Sequence, residues 1–276
     1  MIEVVSRRPG LGLAPYVERY VGYRVEGFPP GVHRGLPSRH LTFIVSLDRP
    51  VEMLATPDPG RPPVAMQAFV GGLHTRATLI RHDGNQHGIA VDLTPLGARA
   101  VLGIPAGELA GGVVELADVL GARGRVLTER LLDAAGWADR FAVLDETLAS
   151  GLHDRYVAAP AMLQAWERLV ARAGGLDLEA LARDVGWSRR QLTERFRREV
   201  GLPPRQLARV LRFERSCRLL SRSDHRTMTD VAARSGYFDH AHMLHEWHRL
   251  AGCTPSEWLR DERPSVQDSL ESGTPY

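Results

Sequence analysis

The chain has 276 residues, of which 43% are hydrophobic and 25% charged, and its formal net charge is only +2 at pH 7. That length leaves room for two domains of ordinary size, each able to bury a core. No stretch approaches about 18 apolar residues, which excludes a membrane-spanning helix. Two cysteines, Cys217 and Cys253, are too few for a disulfide framework. Because the N-terminus lacks an apolar signal core, we expect a cytoplasmic protein.

The first 95 residues favour β-structure. Residues 1 to 40 are rich in Pro and Gly and contain one short apolar run, Leu13 to Tyr23, which is either extended or a turn of helix. Strands separated by Gly, Pro, Asp and Asn turns are expected at Leu41 to Leu47, Val51 to Leu54, Met66 to Val70, Thr75 to Arg81 and His87 to Leu93. Short strands at this spacing predict a small antiparallel sheet or barrel.

After Pro95 the apolar residues recur at helical spacing. Short helical pieces are expected at Leu96 to Leu102, Ala106 to Ala110 and Val114 to Leu120, and longer amphipathic helices at Arg125 to Ala135 and Trp137 to Leu152. The longer pair packs on the sheet, joins a dimer interface, or does both, and packing on the sheet is the simpler expectation. Residues 1–155 form the expected first domain, residues 151–160 the hinge and residues 263–276 a disordered tail.

Polar residues at strand ends are the candidate ligand contacts of the first domain. Arg39 and His40 come just before a strand, and His74 and Arg76 follow two consecutive glycines. The histidines of this half lack the close His-x-His spacing with a nearby Glu that a cupin-like metal site favours. We therefore expect no metal ligands here, and hydrogen-bonded or loop histidines instead.

The sequence lacks the motifs that accompany common catalytic sites. It contains no nucleophile elbow, phosphate loop, metalloprotease helix or Cys-x-x-Cys pair. We therefore expect no catalytic residue and no cofactor. An enzyme with an appended DNA-binding module remains the alternative.

The stretch from Leu178 to Leu259 contains one pattern twice. Each copy is a short helix, a Gly-containing turn and a second helix, and the second copy has one extra residue between Gly236 and Asp239. The corresponding positions are Ala182, Gly186, Leu192, Phe196, Gly201 and Pro204, and then Ala232, Gly236, Met243, Trp247, Gly252 and Pro255. This pattern is typical of the helix-turn-helix, which lays its second helix in a DNA major groove.

The first copy presents a polar face suited to DNA. Ser188 and Gln191 form a capping box, so a helix begins there. The residues expected to meet base edges are Arg190, Thr193, Glu194 and Arg197, since their spacing of i, i+3, i+4 and i+7 places them on one face. The residues expected to bind phosphates are Arg189, Arg198 and Arg205, which position the protein without specifying sequence.

The second copy carries histidines where the base-reading face belongs. Asp239 is the expected N-cap, and the base-facing residues are His240, Ala241, His242 and His245. A zinc ion on these histidines would block docking on DNA, so base or phosphate contact is the preferred interpretation. Arg205 to Arg222 forms an expected linker helix of about 27 Å, at about 1.5 Å per residue. That length suits two recognition helices about one DNA turn apart, which is about 34 Å.

These residues resemble a known family. The motif Val231-Ala232-x-x-Ser235-Gly236-Tyr237-x-Asp239, continued by Met243, Trp247, Gly252, Pro255, Ser256, Trp258 and Leu259, resembles that of the AraC/XylS-type transcriptional regulators. The resemblance covers Ala161 to Glu262 and implies two helix-turn-helix units joined by a long helix, at about 178–200 and 228–251. Two departures are Trp247 in place of the usual Phe and the histidines of the second recognition helix, where many members have Arg or Gln.

The whole plan resembles that family too, since its first domain senses a small molecule or a partner. The expected fold class is α+β, a β-rich sensor domain with helices followed by an all-α DNA-binding domain at 160–262. The expected DNA-binding domain has 18 arginines and 14 acidic residues, whereas the rest of the chain has 17 arginines and 19 acidic residues. This balance fits a phosphate-binding second domain.

The expected partners are double-stranded DNA, a small-molecule effector and, as a further candidate, RNA polymerase, with the protein a monomer or a homodimer. The alternative is a first domain that only binds another protein.

Overall fold

The structure is a computed structural model that describes residues 1–152, 158–175, 177–222 and 227–261. The expected tail at 263–276 and the central residues of the expected hinge lie outside the described residues. The described parts form a β-rich N-terminal region followed by a helical C-terminal region, which confirms the α+β expectation.

The strands of the described residues all belong to the N-terminal region. They are β1 Ile2–Arg7, β2 Val17–Val25, β3 Gly31–Gly35, β4 Leu41–Ser46, β5 Val51–Ala55, β6 Val64–Met66, β7 Ala68–Gly71, β8 Thr78–His82, β9 Gln86–Leu93 and β10 Val113–Glu115. They pair into a six-stranded sheet of order β1-β2-β9-β4-β7-β10 and a four-stranded sheet of order β3-β8-β5-β6. Every described pairing is antiparallel.

The structure decides one alternative that the sequence left open and corrects one expectation. The apolar run at 13–23, expected to be either extended or a turn of helix, is extended from Val17 onward in the long strand β2, which pairs with both β1 and β9. Val114 and Glu115, expected to begin a helical piece, instead pair with Val70 and Phe69 at the edge of the sheet. The helix starts only at Leu116. The free edge of β7 explains the difference, because its backbone groups gain hydrogen-bond partners when β10 adds to it.

The helices of the described residues follow the sheets. In the N-terminal region they are α1 Pro95–Leu102, α2 Leu116–Leu120, α3 Ala122–Asp133 and α4 Trp137–Ser150, with a 3-10 turn at Ala106–Leu109. In the C-terminal region they are α5 Pro160–Ala171, α6 Leu178–Asp184, α7 Arg189–Glu199, α8 Pro204–Ser221, α9 Met228–Ser235, α10 His240–Ala251 and α11 Pro255–Asp261.

Helix α4 packs directly on the six-stranded sheet, the simpler of the two expected arrangements. Its Phe141 ring stacks on Tyr20 of β2, with ring centroids 5.9 Å apart. Its Trp137 ring lies so close to Gly22 that a Cβ there would be 2.3 Å from the indole. Glycine at position 22 therefore lets the tryptophan ring reach the backbone of β2.

Candidate functional site

The first helix-turn-helix unit consists of α6 and α7. Ser188 caps α7 by accepting a hydrogen bond from the backbone N–H of Gln191, and the Gln191 side chain accepts one from the Ser188 backbone N–H. The expected capping box is therefore present. Leu192 and Phe196 of α7 are buried in the same apolar core as Leu181 of α6, and the other face of α7 lies in solvent.

The solvent face of α7 carries the residues expected to meet DNA. Arg190 donates a hydrogen bond from Nε to Glu194 Oε1 at 2.8 Å, one helical turn away. The hydroxyl of Thr193 donates to the Arg189 carbonyl oxygen at 2.9 Å. Arg197 is exposed on the next turn. Arg190 and Glu194 thus form an ion pair with each other. This ion pair has to open if both side chains are to contact bases.

The second unit consists of α9 and α10 and is built around tryptophan. Trp247 of α10 is fully buried, and its ring centroid lies 4.8 Å from that of Phe213 and 5.5 Å from that of Trp258. Its indole N–H donates to Ser216 Oγ at 2.9 Å. Asp239 caps α10, as expected, by accepting from the His242 backbone N–H at 2.7 Å. Three helices therefore meet at one aromatic cluster, since Trp247 belongs to α10, Phe213 to α8 and Trp258 to α11.

The exposed start of α10 holds the second set of expected DNA contacts. Ala241 and His245 are exposed, while His240 and His242 are partly buried. The ring of His242 packs edge-on against Tyr237, with centroids 5.5 Å apart. Its Nδ1 accepts a hydrogen bond from the Phe238 backbone N–H. His242 therefore shapes the turn before the helix as well as lining its face.

The expected phosphate-binding arginines lie around the first unit. Arg189 bonds to Glu179 of α6 at 3.1 Å, and Arg198 contacts Glu199 at 3.2 Å. Arg205 is exposed in the first turn of the linker helix α8. All three lie at helix ends near α7, where exposed arginines are able to grip a DNA backbone.

The N-terminal region touches the end of α7 directly. Arg99 of α1 bonds to Glu199 through Nη2 at 3.2 Å and Nε at 3.4 Å. The 3-10 turn approaches so closely that a Cβ on Gly107 would lie 2.5 Å from the carbonyl oxygens of Arg197 and Arg198. The second helix of the first unit, α7, is therefore in contact with the N-terminal region.

A cavity of about 330 Å³ lies between the two sheets and opens towards α8. Apolar side chains from both sheets form its inner wall. These are Ile44, Met53, Phe69, Ile80 and Val113. A second, wider space of about 520 Å³ adjoins it and shares Tyr23, His33, Ile44, Ile80 and Gln86. A concave apolar space with a few polar groups is the usual form of a small-molecule site.

The mouth of this cavity is charged and includes the linker helix. Arg39 bonds to Glu18 at 3.3 Å and to Glu214 of α8 at 3.2 Å, and Arg218 of α8 lines the same opening. Burial lowers the pKa of Arg39, but the charges of Glu214 and Glu18 outweigh it and raise the pKa above its ordinary value. A hydrogen bond from His40, with the Arg39 charge, lowers the pKa of Glu18 to about 2. The mouth is therefore a network of ion pairs that joins the sheets to α8.

The structure places three of the four expected ligand contacts at this cavity. Arg39, His40 and His74 line it, whereas Arg76 is exposed and does not. Sequence reasoning missed Glu214 and Arg218, because they lie about 175 residues after Arg39 on a helix whose pattern indicates only a linker. It also missed His33, whose Nδ1 lies 3.1 Å from the Gln86 amide nitrogen inside the cavity.

We expect the N-terminal region to lose stability as the pH falls from about 6.5 to about 4. Burial, helped by the neighbouring His82, lowers the pKa of His33 from 6.5 to about 4. The unfolded chain takes up a proton in this window and the folded chain does not, so the stability is present above pH 6.5 and declines towards pH 4. At about 1.4 kcal/mol per pKa unit, reduced for partial exposure, the loss is about 2 kcal/mol.

Urea unfolding at pH 7.5, 6 and 5 measures this loss. The matched variant His33→Gln keeps a polar side chain beside Gln86 but does not titrate, so its stability should depend less on pH. His74, whose pKa burial also lowers to about 4, contributes equally to both proteins. Equal pH dependence of the two proteins would contradict the assignment to His33.

Two negative findings concern the described residues only. They contain no group of three His, Cys, Asp or Glu side chains placed to hold a metal ion. None of their helices combines the length and apolar character needed to cross a membrane.

Comparison with known proteins gives separate matches for the two regions. A family model described as a helix-turn-helix domain matches residues 181–261. A second, described as a domain of unknown function (DUF6597), matches residues 6–115. Among curated proteins, none matches the chain in sequence.

Solved structures share the fold over almost the whole chain. ToxT from Vibrio cholerae O395 is 12% identical, with 94% of this chain and 97% of that chain covered and a TM-score of 0.50. Wild-type ToxT from Vibrio cholerae strain SCE256, solved bound to an unsaturated fatty acid, is 10% identical over 92% and 96%, also with a TM-score of 0.50. The AraC-like transcriptional activator CuxR is 15% identical, with 71% of this chain and 79% of that chain covered and a TM-score of 0.27.

The matched helix-turn-helix model and the paired units around α8 define a DNA-binding protein with a β-rich N-terminal region. The C-terminal region is therefore a DNA-binding helix-turn-helix domain. The motif that runs from Val231 to Leu259 resembles that of the AraC/XylS-type transcription regulators.

Proposed function

We propose that this protein is a transcription regulator of the AraC/XylS type that reads two adjacent major-groove segments with α7 and α10, and that a small molecule bound between its sheets changes that binding. It acts by binding and not by catalysis, in the cytoplasm where its DNA lies. The observation that carries the proposal is the position of α8. This one helix joins the two DNA-reading units and also forms part of the cavity mouth.

On the DNA side, α7 supplies side chains that form one or two hydrogen bonds, or an apolar contact, with base edges. Arg190 and Arg197 suit a guanine edge, Glu194 suits a cytosine amine, and Thr193 suits a thymine methyl. The arginines at the helix ends, Arg189, Arg198 and Arg205, hold phosphates. On α10 the contacts come from His240, Ala241, His242 and His245. Because two units lie on one chain, the protein reads both segments as a monomer or as each half of a homodimer.

On the ligand side, the cavity selects a molecule with an apolar body and a polar end. The apolar wall fits the body, and the network around Arg39 and Glu214 fits the end. A ligand that enters the mouth has to displace or extend the bonds that hold α8 to the sheets. ToxT, which shares this fold, was solved bound to an unsaturated fatty acid, and this supports an amphipathic ligand for the present chain.

The rival hypothesis, a first domain that only binds another protein, requires a continuous apolar surface on the helices at 122–150. Val126 and Leu132 of α3 are exposed. They are six residues apart, however, and at 3.6 residues per turn they lie about 120° apart around the helix. They therefore form no single stripe, and the apolar cavity between the sheets favours the small-molecule function.

Arg190→Ala tests the DNA-reading role. We expect a loss of about 1 to 3 kcal/mol on the cognate site, with relaxed preference at one base position. The site is first selected from random duplexes by the purified full-length protein at a fixed, stated salt concentration. Footprinting should then show two protected segments about 10 base pairs apart.

Arg195→Ala is the matched control for this experiment. Arg195 lies on the same helix, with its guanidinium over the Trp187 ring at 4.8 Å, about 140° around the helix from Arg190. It should bind the selected site almost as the wild type does. If Arg190→Ala weakens every sequence equally, Arg190 contacts a phosphate and not a base.

A further inference from the structure

Phe238 is a large apolar side chain that the protein leaves in solvent. It lies in the turn between α9 and α10 and is 92% exposed. It is also the residue by which the second turn exceeds the first. Trp187 and Ser188 follow Gly186 in the first unit, whereas Tyr237, Phe238 and Asp239 follow Gly236 in the second.

The fold of the second unit does not use this ring. An apolar residue just before an N-cap commonly packs on the fourth residue of the helix that follows. Here the N-cap is Asp239 and the fourth helical residue is Met243, which is fully buried. Tyr237, which is also buried, fills the place that Trp187 takes in the first unit. The packing of the unit is therefore complete without Phe238.

Hydrogen bonds nevertheless fix the position of residue 238 in the turn. The Phe238 backbone N–H donates to His242 Nδ1 at 3.3 Å, and Asp239 bonds to the His242 backbone. Phe238 is thus held immediately before the first turn of α10. The first residues of a recognition helix are those that meet base edges.

The rest of the α10 surface indicates what such a ring would read. The first six residues of the helix, 240–245, contain no Arg, Asn or Gln, the side chains that form bidentate contacts with guanine or adenine. The C5-methyl of thymine is the apolar feature of the major groove, and Phe is one of the side chains that contact it. Ala241 beside it is suited to the same kind of contact.

We propose that Phe238 is a specificity-determining residue that reads a thymine methyl at the edge of the segment bound by α10. This inference rests on the docking of α10 proposed above. It assigns the extra residue of the second turn to sequence recognition by apolar contact.

Deoxyuridine substitution tests the contact, since it removes the methyl and keeps the Watson–Crick edge. In the site selected by the full-length protein, each thymine of the α10 segment is replaced in turn. At one position the wild type should bind about fourfold more weakly, as expected for about 0.8 kcal/mol per buried methyl-sized group. Phe238→Ser should bind the thymine site more weakly and show no further loss with deoxyuridine.

Leu11→Ser is the matched control, because Leu11 is 95% exposed but lies in the N-terminal region. It should behave as the wild type on both duplexes. An unchanged unfolding midpoint for Phe238→Ser is expected, since the ring has no packing role, and it shows that the variant is folded.

Two results would overturn the inference while the proposed function stands. One is a footprint on two groove segments with no deoxyuridine effect at any thymine of the α10 segment. The other is an equal deoxyuridine effect in the wild type and in Phe238→Ser, which would assign the methyl to another side chain. If the protein selects no site at all, the proposed function and this inference fail together.

Discussion

Trp247→Ala is expected to unfold the second helix-turn-helix unit and abolish sequence-specific DNA retention. Removing a fully buried aromatic side chain costs about 3 to 5 kcal/mol, because apolar contacts are lost and a cavity remains. Trp247 packs on both Phe213 and Trp258, so the cavity opens between α8, α10 and α11. That cost is a large part of the roughly 5 to 15 kcal/mol by which a domain is stable.

Two control variants separate packing from the polar contact of this ring. Trp247→Phe introduces the residue usual in the AraC/XylS-type regulators, keeps an aromatic ring in place, and loses the bond to Ser216 and part of the ring volume. It should cost about 1 kcal/mol, the size of one net hydrogen bond, plus a small cavity. His248→Ala, at the exposed neighbour, should leave the midpoint unchanged. Urea unfolding followed by circular dichroism measures the stability of the three variants. An unfolding midpoint of Trp247→Ala equal to that of the wild type would contradict the role of Trp247 in the core of the second unit.

The C-terminal half was predictable from sequence because its determinants are local. The caps at Ser188 and Asp239 are set by residues three positions apart, and both are present as expected. The apolar spacing of Leu192 and Phe196 fixes the buried face of α7 without reference to anything distant. Such signals survive in a single sequence because the physical interaction lies within one or two helical turns.

The start of the chain was less predictable because its burial depends on distant residues. In β2, the four residues from Tyr20 to Tyr23 are all buried, so the alternation that marks a half-exposed strand is absent. The cause is α4, whose Trp137 covers Gly22 from more than 100 residues away. The cavity mouth is hidden for the same reason, since no local spacing relates Arg39 to Glu214.

Arg39→Ala is expected to loosen the contact between the sheets and α8 at a cost of about 3 kcal/mol. The side chain of Glu214 is only 9% exposed, and Arg39 is the cation that the structure shows bonded to it. Removing Arg39 therefore leaves a carboxylate in a poorly hydrated place without that cation. The loss falls below the upper limit for a fully buried pair because Arg39 itself is 18% exposed.

Glu18→Gln is the matched control, since the same arginine also bonds to Glu18, which is 47% exposed. That change should cost less than about 1 kcal/mol, as for other exposed pairs. In the double variant Arg39→Ala with Glu214→Gln, no carboxylate remains at position 214, so part of the loss should be recovered. Urea unfolding of the wild type, Arg39→Ala, Glu214→Gln and the double variant closes the cycle and gives the coupling between positions 39 and 214.

The wild type, Arg39→Ala and Glu18→Gln also test whether the mouth of the cavity communicates with DNA. If α8 transmits the state of the mouth, Arg39→Ala should change affinity for the selected site, whereas Glu18→Gln should not. If Arg39→Ala costs no more stability than Glu18→Gln, Glu214 reaches water once Arg39 is gone. The ion pair would then not join the sheets to α8, and a ligand at the mouth would have to act on DNA binding through the Arg99–Glu199 contact with α7.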